Sequence, residues 1–262
     1  MNPVAFEIGP FDIRWYAVFI LTGIALAISM SLVLAKKYNI NKDDLLDGIT
    51  YGIPLGIIGA RVYYVIFEWE RYANNPIDAL KMWEGGGAIH GAIIAALIWA
   101  VWYSRKKKMP VLRVADTVAV GFFIAQILGR WGNFVNQEAH GPATTLEFLQ
   151  NLHLPNFIVE GMNIGGVYYH PTFLYESVWN IIGLALILVF IYKMNAKPGS
   201  PTLFYLIWYS IGRFMIESLR TDSLMMFGLK TAQMISIVLI VGSLVAWYLK
   251  DKYLLKDITE EE

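Results

Sequence analysis

The chain of 262 residues has no cysteine, only four histidines and few charges, with Asp, Glu, Lys and Arg making up 16% of it. A soluble domain carries more charge, about 25%. The lack of cysteine excludes disulfides, thiolate metal ligands and a thiol nucleophile belonging to the chain itself. Basic and acidic residues number 21 each, so there is no basic footprint for nucleic acid. H-E-x-x-H, G-x-S-x-G and Walker patterns are all missing, which removes three enzyme classes. No cleavable leader is expected. Glu7, Asp12 and Arg14 precede the first apolar run, and the basic pair Lys36-Lys37 follows it. There is no internal repeat.

What the chain has in quantity is apolar residues, 56% of the total, with a mean hydropathy of +0.48. They fall into seven runs, roughly 15–35, 45–67, 87–103, 114–135, 172–192, 201–219 and 231–249, separated by polar or Pro/Gly-rich breaks. The expected fold is therefore an all-α integral membrane protein of about seven transmembrane helices. It forms a single polytopic domain over 1–262. Lys36, Lys37 and Lys42, the cluster Arg105 to Lys108 with Arg113, Lys193 and Lys197, and Lys250, Lys252 and Lys256 fall on one side of the seven runs. That side is cytoplasmic by the positive-inside rule, which places the N-terminus outside and the C-terminus inside. The longest connection, about 136–170, is then external. It is too long and too apolar for a slack linker, so a small folded cap is expected there. Connection 68–86 is amphipathic, with Trp69, Tyr72, Ile77, Leu80 and Trp83, and suits a membrane surface or a solvated loop. Gly52, Gly56 and Gly59 read as helix-packing positions. Residues 257–262 form an acidic tail.

Orientation gives each polar residue a depth. Tyr16, Arg61, His90, Arg130, Asn133, His170, Glu176, Tyr209, Arg213 and Glu217 all fall in the outer half of their spans. His90 follows a glycine run expected to be flexible, Gly85-Gly86-Gly87. Asp47 and Asp116 sit at the cytoplasmic boundary. Tyr209, Arg213 and Glu217 are four apart, so they share one helical face. A charge in hydrocarbon costs about 2.5–3.5 kcal/mol on insertion scales. A lone arginine at a helix end can snorkel to headgroups, and an i,i+4 Arg–Glu pair can be self-contained. Several arginines, histidines and glutamates at one depth instead imply an outward-opening polar chamber. Guanidinium forks match phosphate oxygens and cannot lose their charge. The expected ligand is thus an anionic lipid or anionic solute. A transporter or flippase would use the same arginines, but its polar residues should continue to the inner side, and here the inner halves are mostly apolar. A purely structural membrane protein leaves the clustered arginines unexplained.

Several stretches resemble one family. Gly129-Arg130-Trp131-Gly132-Asn133-Phe134-Val135-Asn136-Gln137-Glu138, continuing to Gly141, resembles the signature of the bacterial prolipoprotein diacylglyceryl transferase family. Ile13-Arg14-Trp15-Tyr16, Gly59-Ala60-Arg61, Gly87-Ala88-Ile89-His90-Gly91, His170-Pro171-Thr172-Phe173-Leu174-Tyr175-Glu176 and Tyr209 through Glu217 resemble its other motifs, in family order. Ala92 departs from a glycine frequent there. The resemblance implies a transferase of the bacterial cytoplasmic (inner) membrane with its site toward the outer leaflet. It would move the diacylglyceryl group of phosphatidylglycerol to the lipobox cysteine of a preprolipoprotein signal peptide, forming a thioether and releasing glycerol 1-phosphate. It implies no metal and no cofactor. Arg130 and Arg213 would stabilise charge on the departing phosphate. Glu138 and Glu217 would hold those arginines. His90 is one candidate base for the acceptor thiol, with a nearby carboxylate or the arginine field as alternatives. Tyr16 and Asn133 would orient the lipid headgroup. Arg61, Asn136, Gly141, His170, Glu176 and Tyr209 complete the expected lipid-binding set.

Overall fold

The computed structural model describes residues 1–220, 225–226 and 228–254. The expected acidic tail lies outside the described residues. Seven long helices occupy the seven apolar runs: α1 (Trp15–Lys37), α2 (Lys42–Phe67), α4 (Ile89–Lys106), α5 (Val111–Asn136), α8 (Thr172–Lys193), α9 (Ser200–Glu217) and α10 (Thr231–Leu249). Five are long and apolar enough to cross a membrane, namely α1, α2, α5, α8 and α10 with the turn that extends it to Tyr253. The chain divides into two compact units, Leu32–Thr117 and the remainder, Met1–Ser31 with Val118–Glu262.

In the unit Leu32–Thr117, Asn41 starts α2. Its side chain accepts from the amides of Asp43 and Asp44 at 2.9 and 3.0 Å. Those two aspartates also complement the helix dipole. Gly48, Gly52 and Gly59 lie on α2 where α4 comes closest. Trp99 fits against Gly52 and donates to the Gly48 carbonyl at 2.8 Å. At Gly59 and Gly91 the two backbones touch, and a Cβ on either would clash with the other helix. A buried cluster of Ala35, Ile40, Leu45, Tyr103, Met109 and Val114 closes the other end. There Lys107 pairs with Asp44 at 2.6 Å. Between α2 and α4 the chain forms α3 (Trp69–Tyr72) and two 3-10 turns, Pro76–Leu80 and Met82–Glu84.

The other unit begins with a hairpin of β1 (Val4–Ile8) and β2 (Phe11–Arg14) that leads into α1. Between α5 and α8 lies a small lobe. It holds β3 (Ala143–Thr144), α6 (Leu146–Asn151), α7 (Asn156–Gly161), β4 (Asn163–Ile164) and β5 (Val167–Tyr169), in the sheet order β3-β5-β4. Ile164 pairs with Val167 across a two-residue turn. Its glycines, Gly165 and Gly166, both have positive φ, at 62° and 87°, as a tight hairpin turn requires. Leu149, Ile158, Val159 and Met162 of the lobe pack on Phe134, Val135 and Phe173 at the ends of α5 and α8. The lobe is thereby joined to the helices by a shared apolar core.

Helices α8 and α9 are locked by two tryptophans. The Trp179 and Trp208 rings stack at 4.5 Å, and each indole N–H donates to the other residue's carbonyl, at 2.9 and 3.0 Å. Trp179 lies over Gly212 and Trp208 over Gly183, where any Cβ would collide with the ring. Helix α10 is clipped to α9 at both ends by lysines. Lys230 donates to the carbonyls of Glu217, Ser218 and Arg220 at 2.6, 3.3 and 2.9 Å, capping the negative end of the α9 dipole. Lys250 donates to Pro198 and Ser200 at the start of α9. A cation there opposes the dipole, and Asp251, 3.3 Å away, offsets it.

Overpacking the tryptophan lock tests its weight. Gly212→Val is expected to lower the melting temperature of the detergent-purified protein by about 6–12 °C, for a cost of about 3 kcal/mol. Gly242→Val, where a Cβ meets nothing within 4 Å, serves as the control and should leave it unchanged.

Candidate active site

Three helices of the larger unit bring their charges together. On α9, Tyr209, Arg213 and Glu217 follow one another at one-turn spacing, and Arg213 Nη2 lies 2.6 Å from Glu217 Oε2. On α8, Glu176 belongs to a buried stripe with Phe173, Asn180, Gly183 and Ile187. Its two carboxylate oxygens face two different arginines: Oε2 is 2.7 Å from Arg130 Nη2 and Oε1 is 3.9 Å from Arg213 Nη1. The antiparallel register of α5 and α8 sets this up. Ser177 donates to the Ile127 carbonyl at 3.2 Å, and Phe123 meets Gly183 two turns further along. Arg130 is thus left opposite Glu176.

The network continues from Arg130 into the segment that follows α5. Arg130 Nη1 donates to Asn133 at 3.4 Å, and Asn133 donates to Glu138 at 2.9 Å. Asn136 also donates to Glu138, at 3.4 Å. Glu138 therefore holds the asparagines and reaches Arg130 only through Asn133. The carboxylate that lies between both arginines, bonded to Arg130 and in longer ionic contact with Arg213, is Glu176, a residue expected from the sequence in the lipid-binding set. Glu217 holds Arg213 alone.

Electrostatics follow from this pairing. Glu176 and Glu217 are 5% and 2% exposed, and both arginine side chains are 20% exposed. The two half-buried arginines and two buried glutamates cancel in charge, which removes the cost of isolated ions in an apolar setting. Among the described residues no partner takes Nε of either arginine, so each fork keeps donors for an incoming anion. The arrangement can hold an anion by directed N–H bonds rather than by a net positive field.

Other expected site residues of this unit surround the network. The Tyr16 ring packs on Gly132, whose Cβ position would lie 2.6 Å from it, so this motif glycine admits the tyrosine. Gly141 does the same for His170, whose Cβ would lie 2.7 Å from an added methyl. The Gly141 amide donates to the His170 carbonyl at 3.0 Å, and Thr172 donates to the Ala139 carbonyl at 2.7 Å. These bonds stitch the end of the signature to the start of α8. His170 Nδ1 meets Tyr175 Oη at 3.2 Å, and its ring lies against Phe148 of the lobe. His170 is therefore engaged with the lobe, not with either arginine. Tyr209 stacks on Tyr205 at 5.9 Å.

His90 and Arg61 belong to the other unit. His90 is exposed in the first turn of α4, its ring 6.0 Å from that of Tyr63. Arg61 was expected to bind lipid phosphate, but all five of its N–H groups are occupied. They donate to the carbonyls of Ala79, Gly85, Gly86, Asp78 and Lys81. It has no donor left for a ligand. Gly85 and Gly86 have φ of 83° and 85° and turn their carbonyls onto this guanidinium. Gly85 and Gly86 of the run thus form a cradle for this guanidinium. Among the described residues, no three His, Asp or Glu side chains gather as a metal site would require.

Comparison with known proteins identifies the family. A family model described as prolipoprotein diacylglyceryl transferase matches residues 3–249. A protein of Lactobacillus acidophilus is 46% identical over 254 residues, 96% of this chain and 91% of its own. One of Ligilactobacillus salivarius is 47% identical over 247 residues, 94% and 92% of the two chains. One of Listeria welshimeri is 48% identical over 244 residues, 93% and 88% of the two chains. All three carry the name phosphatidylglycerol–prolipoprotein diacylglyceryl transferase. Both the match along nearly the whole length and the level of identity lead to one conclusion: this chain belongs to the prolipoprotein diacylglyceryl transferase family.

Proposed function

We propose that the protein transfers the diacylglyceryl group of phosphatidylglycerol to the thiol of a lipobox cysteine in a preprolipoprotein signal peptide. The observation that carries the reading is the pair Arg130 and Arg213, held on one carboxylate within a chain of this family. The cysteine sulfur attacks the glycerol carbon next to the phosphate. A carbon–sulfur bond forms, the carbon–oxygen bond to phosphate breaks, and glycerol 1-phosphate leaves with the bonding electrons. The thiol gives up its proton to a base, for which His90 is the candidate by residue type.

Charge grows on the phosphate as it departs. The unspent donors of Arg130 and Arg213 meet that charge in a site of low dielectric, where fixed donors act most strongly. Glu176 and Glu217 keep both forks in place before the lipid arrives. Asn133, Asn136 and Tyr16 line the headgroup side, with Glu138 orienting the asparagines. Tyr209 stands one turn inward on the Arg213 face. Gly141 and His170 act through the local backbone, by fixing the end of the signature on α8.

The protein works as a seven-span enzyme of the bacterial cytoplasmic membrane. Its basic connections are inside, and the lobe between α5 and α8 is an external cap. Helices α4 and α9 complete the seven spans.

Arg130→Lys keeps the charge and loses the fork. Turnover should fall about 100-fold, the scale of losing a directed donor to a developing anion. The assay is gel-shift of a lipobox peptide with phosphatidylglycerol at matched levels of inserted protein, with Lys106→Arg as the remote control. Near-wild-type turnover of Arg130→Lys would return this residue to a snorkelling role. A second series ranks the carboxylates. Glu176→Gln weakens two ion pairs at once and should cost about 100-fold, while Glu138→Gln, one link removed from Arg130, should cost about tenfold. The reverse order would show that Glu176 is not what holds the arginines.

A further inference from the structure

Arg61 is 6% exposed, and its guanidinium is saturated by the carbonyls of one short segment. Nε donates to Ala79 at 2.8 Å, Nη2 to Asp78 and Lys81 at 3.0 and 3.1 Å, and Nη1 to Gly86 at 2.9 Å and to Gly85. The Tyr72 ring covers the group at 5.3 Å. A buried guanidinium needs all five donors met, and here the backbone of 78–86 meets them. That segment has little else to fold on. Its two 3-10 turns are short, and its apolar side chains Ile77, Leu80 and Trp83 are 69%, 74% and 80% exposed. The guanidinium therefore takes the place of a core for the connection. The path then runs directly to His90. The Ala88 amide donates to the carbonyl of Ala60, the neighbour of Arg61, at 3.0 Å. His90 follows two residues later, beside Tyr63.

We propose that Arg61 is a positioning residue for His90: its guanidinium is the internal template on which residues 78–88 fold, and it fixes the entry of α4 and the place of the histidine. This rests on the reading in which His90 takes part in the transfer. Lysine at 61 offers at most three donors on a single nitrogen and cannot span carbonyls arrayed around a planar fork. Gly86 supplies an independent handle. A Cβ there would lie 2.9 Å from Arg61 Nη1 and 2.6 Å from Tyr64, at a φ of 85° that other residues rarely adopt. Gly86→Ala thus disturbs the cradle while leaving the charge at position 61 unchanged.

The test measures kcat and the KM for phosphatidylglycerol for the wild type, Arg61→Lys and Gly86→Ala. The full-length protein is reconstituted in nanodiscs, with a lipobox peptide as acceptor. Both variants should lower kcat about 10–100-fold, the scale of displacing a catalytic group by an ångström, with KM within about twofold. Arg61→Ala should regain part of its kcat with added guanidinium ion, which refills the cradle. A tenfold rise in KM for Arg61→Lys with Gly86→Ala near wild type would overturn the proposal and make Arg61 a phosphate contact. Loss of both variants from the membrane would also overturn it, in favour of a role in folding alone. Failure of the underlying reading is a separate result: His90→Ala would keep the wild-type kcat.

Discussion

A charge inside an apolar bundle has to be matched, and the carboxylate of Glu176 is where that requirement is met for both arginines. Its two oxygens lie between Arg130 on α5 and Arg213 on α9. Each helix must then present its charge at one height. The Ser177 bond to Ile127 sets α8 against α5, and the stacked tryptophans set it against α9. Glu217 completes the neutralisation from the Arg213 side. The result is a set of forks held without net charge. Under the proposed function, a lipid phosphate approaching it meets geometry first and field second.

The two units divide the work in different ways. Around Glu176 the side chains pair with one another, helix to helix. Around Arg61 one side chain is paired wholly with backbone. The first arrangement leaves arginine donors open and the second leaves none, although both begin from an arginine inside a helix. Burial separates them, since Arg61 is 6% exposed and the other two arginine side chains are 20% exposed. The number of unspent donors, rather than the presence of an arginine, is what marks a ligand site.

The helices were legible in the sequence because apolar run length is a one-dimensional property. All seven runs became helices with ends shifted by a few residues. The folded lobe over 136–170 was legible from its length and its apolar content. Partner choice was not. Glu217 is near Arg213 in sequence and pairs with it, and Glu138 reaches Arg130 through Asn133, whereas Glu176 acts across helices through a register that only packing sets. Arg61 was misread for a related reason: its partners are carbonyls, which every sequence contains and none displays. The tryptophan lock does leave a sequence signal. Trp179 and Gly183 are four apart, as are Trp208 and Gly212. Two neighbouring helices with the same large-then-small pattern invite a reciprocal fit.

That reciprocal fit has a mechanical consequence. Because each indole is bonded to the other helix and seated over the other glycine, α8 cannot slide along α9 by a fraction of a turn. A shift would break both bonds and drive both rings into backbone at once. The fit therefore resists such a slide and favours one separation of Glu176 and Arg213. An enzyme that admits a lipid with two acyl chains and releases a lipidated peptide must flex somewhere on every turnover. With the α8–α9 seam locked by its two indole bonds, the flexing falls to other joints, and under the proposed function the phosphate-binding geometry need not be rebuilt at each opening.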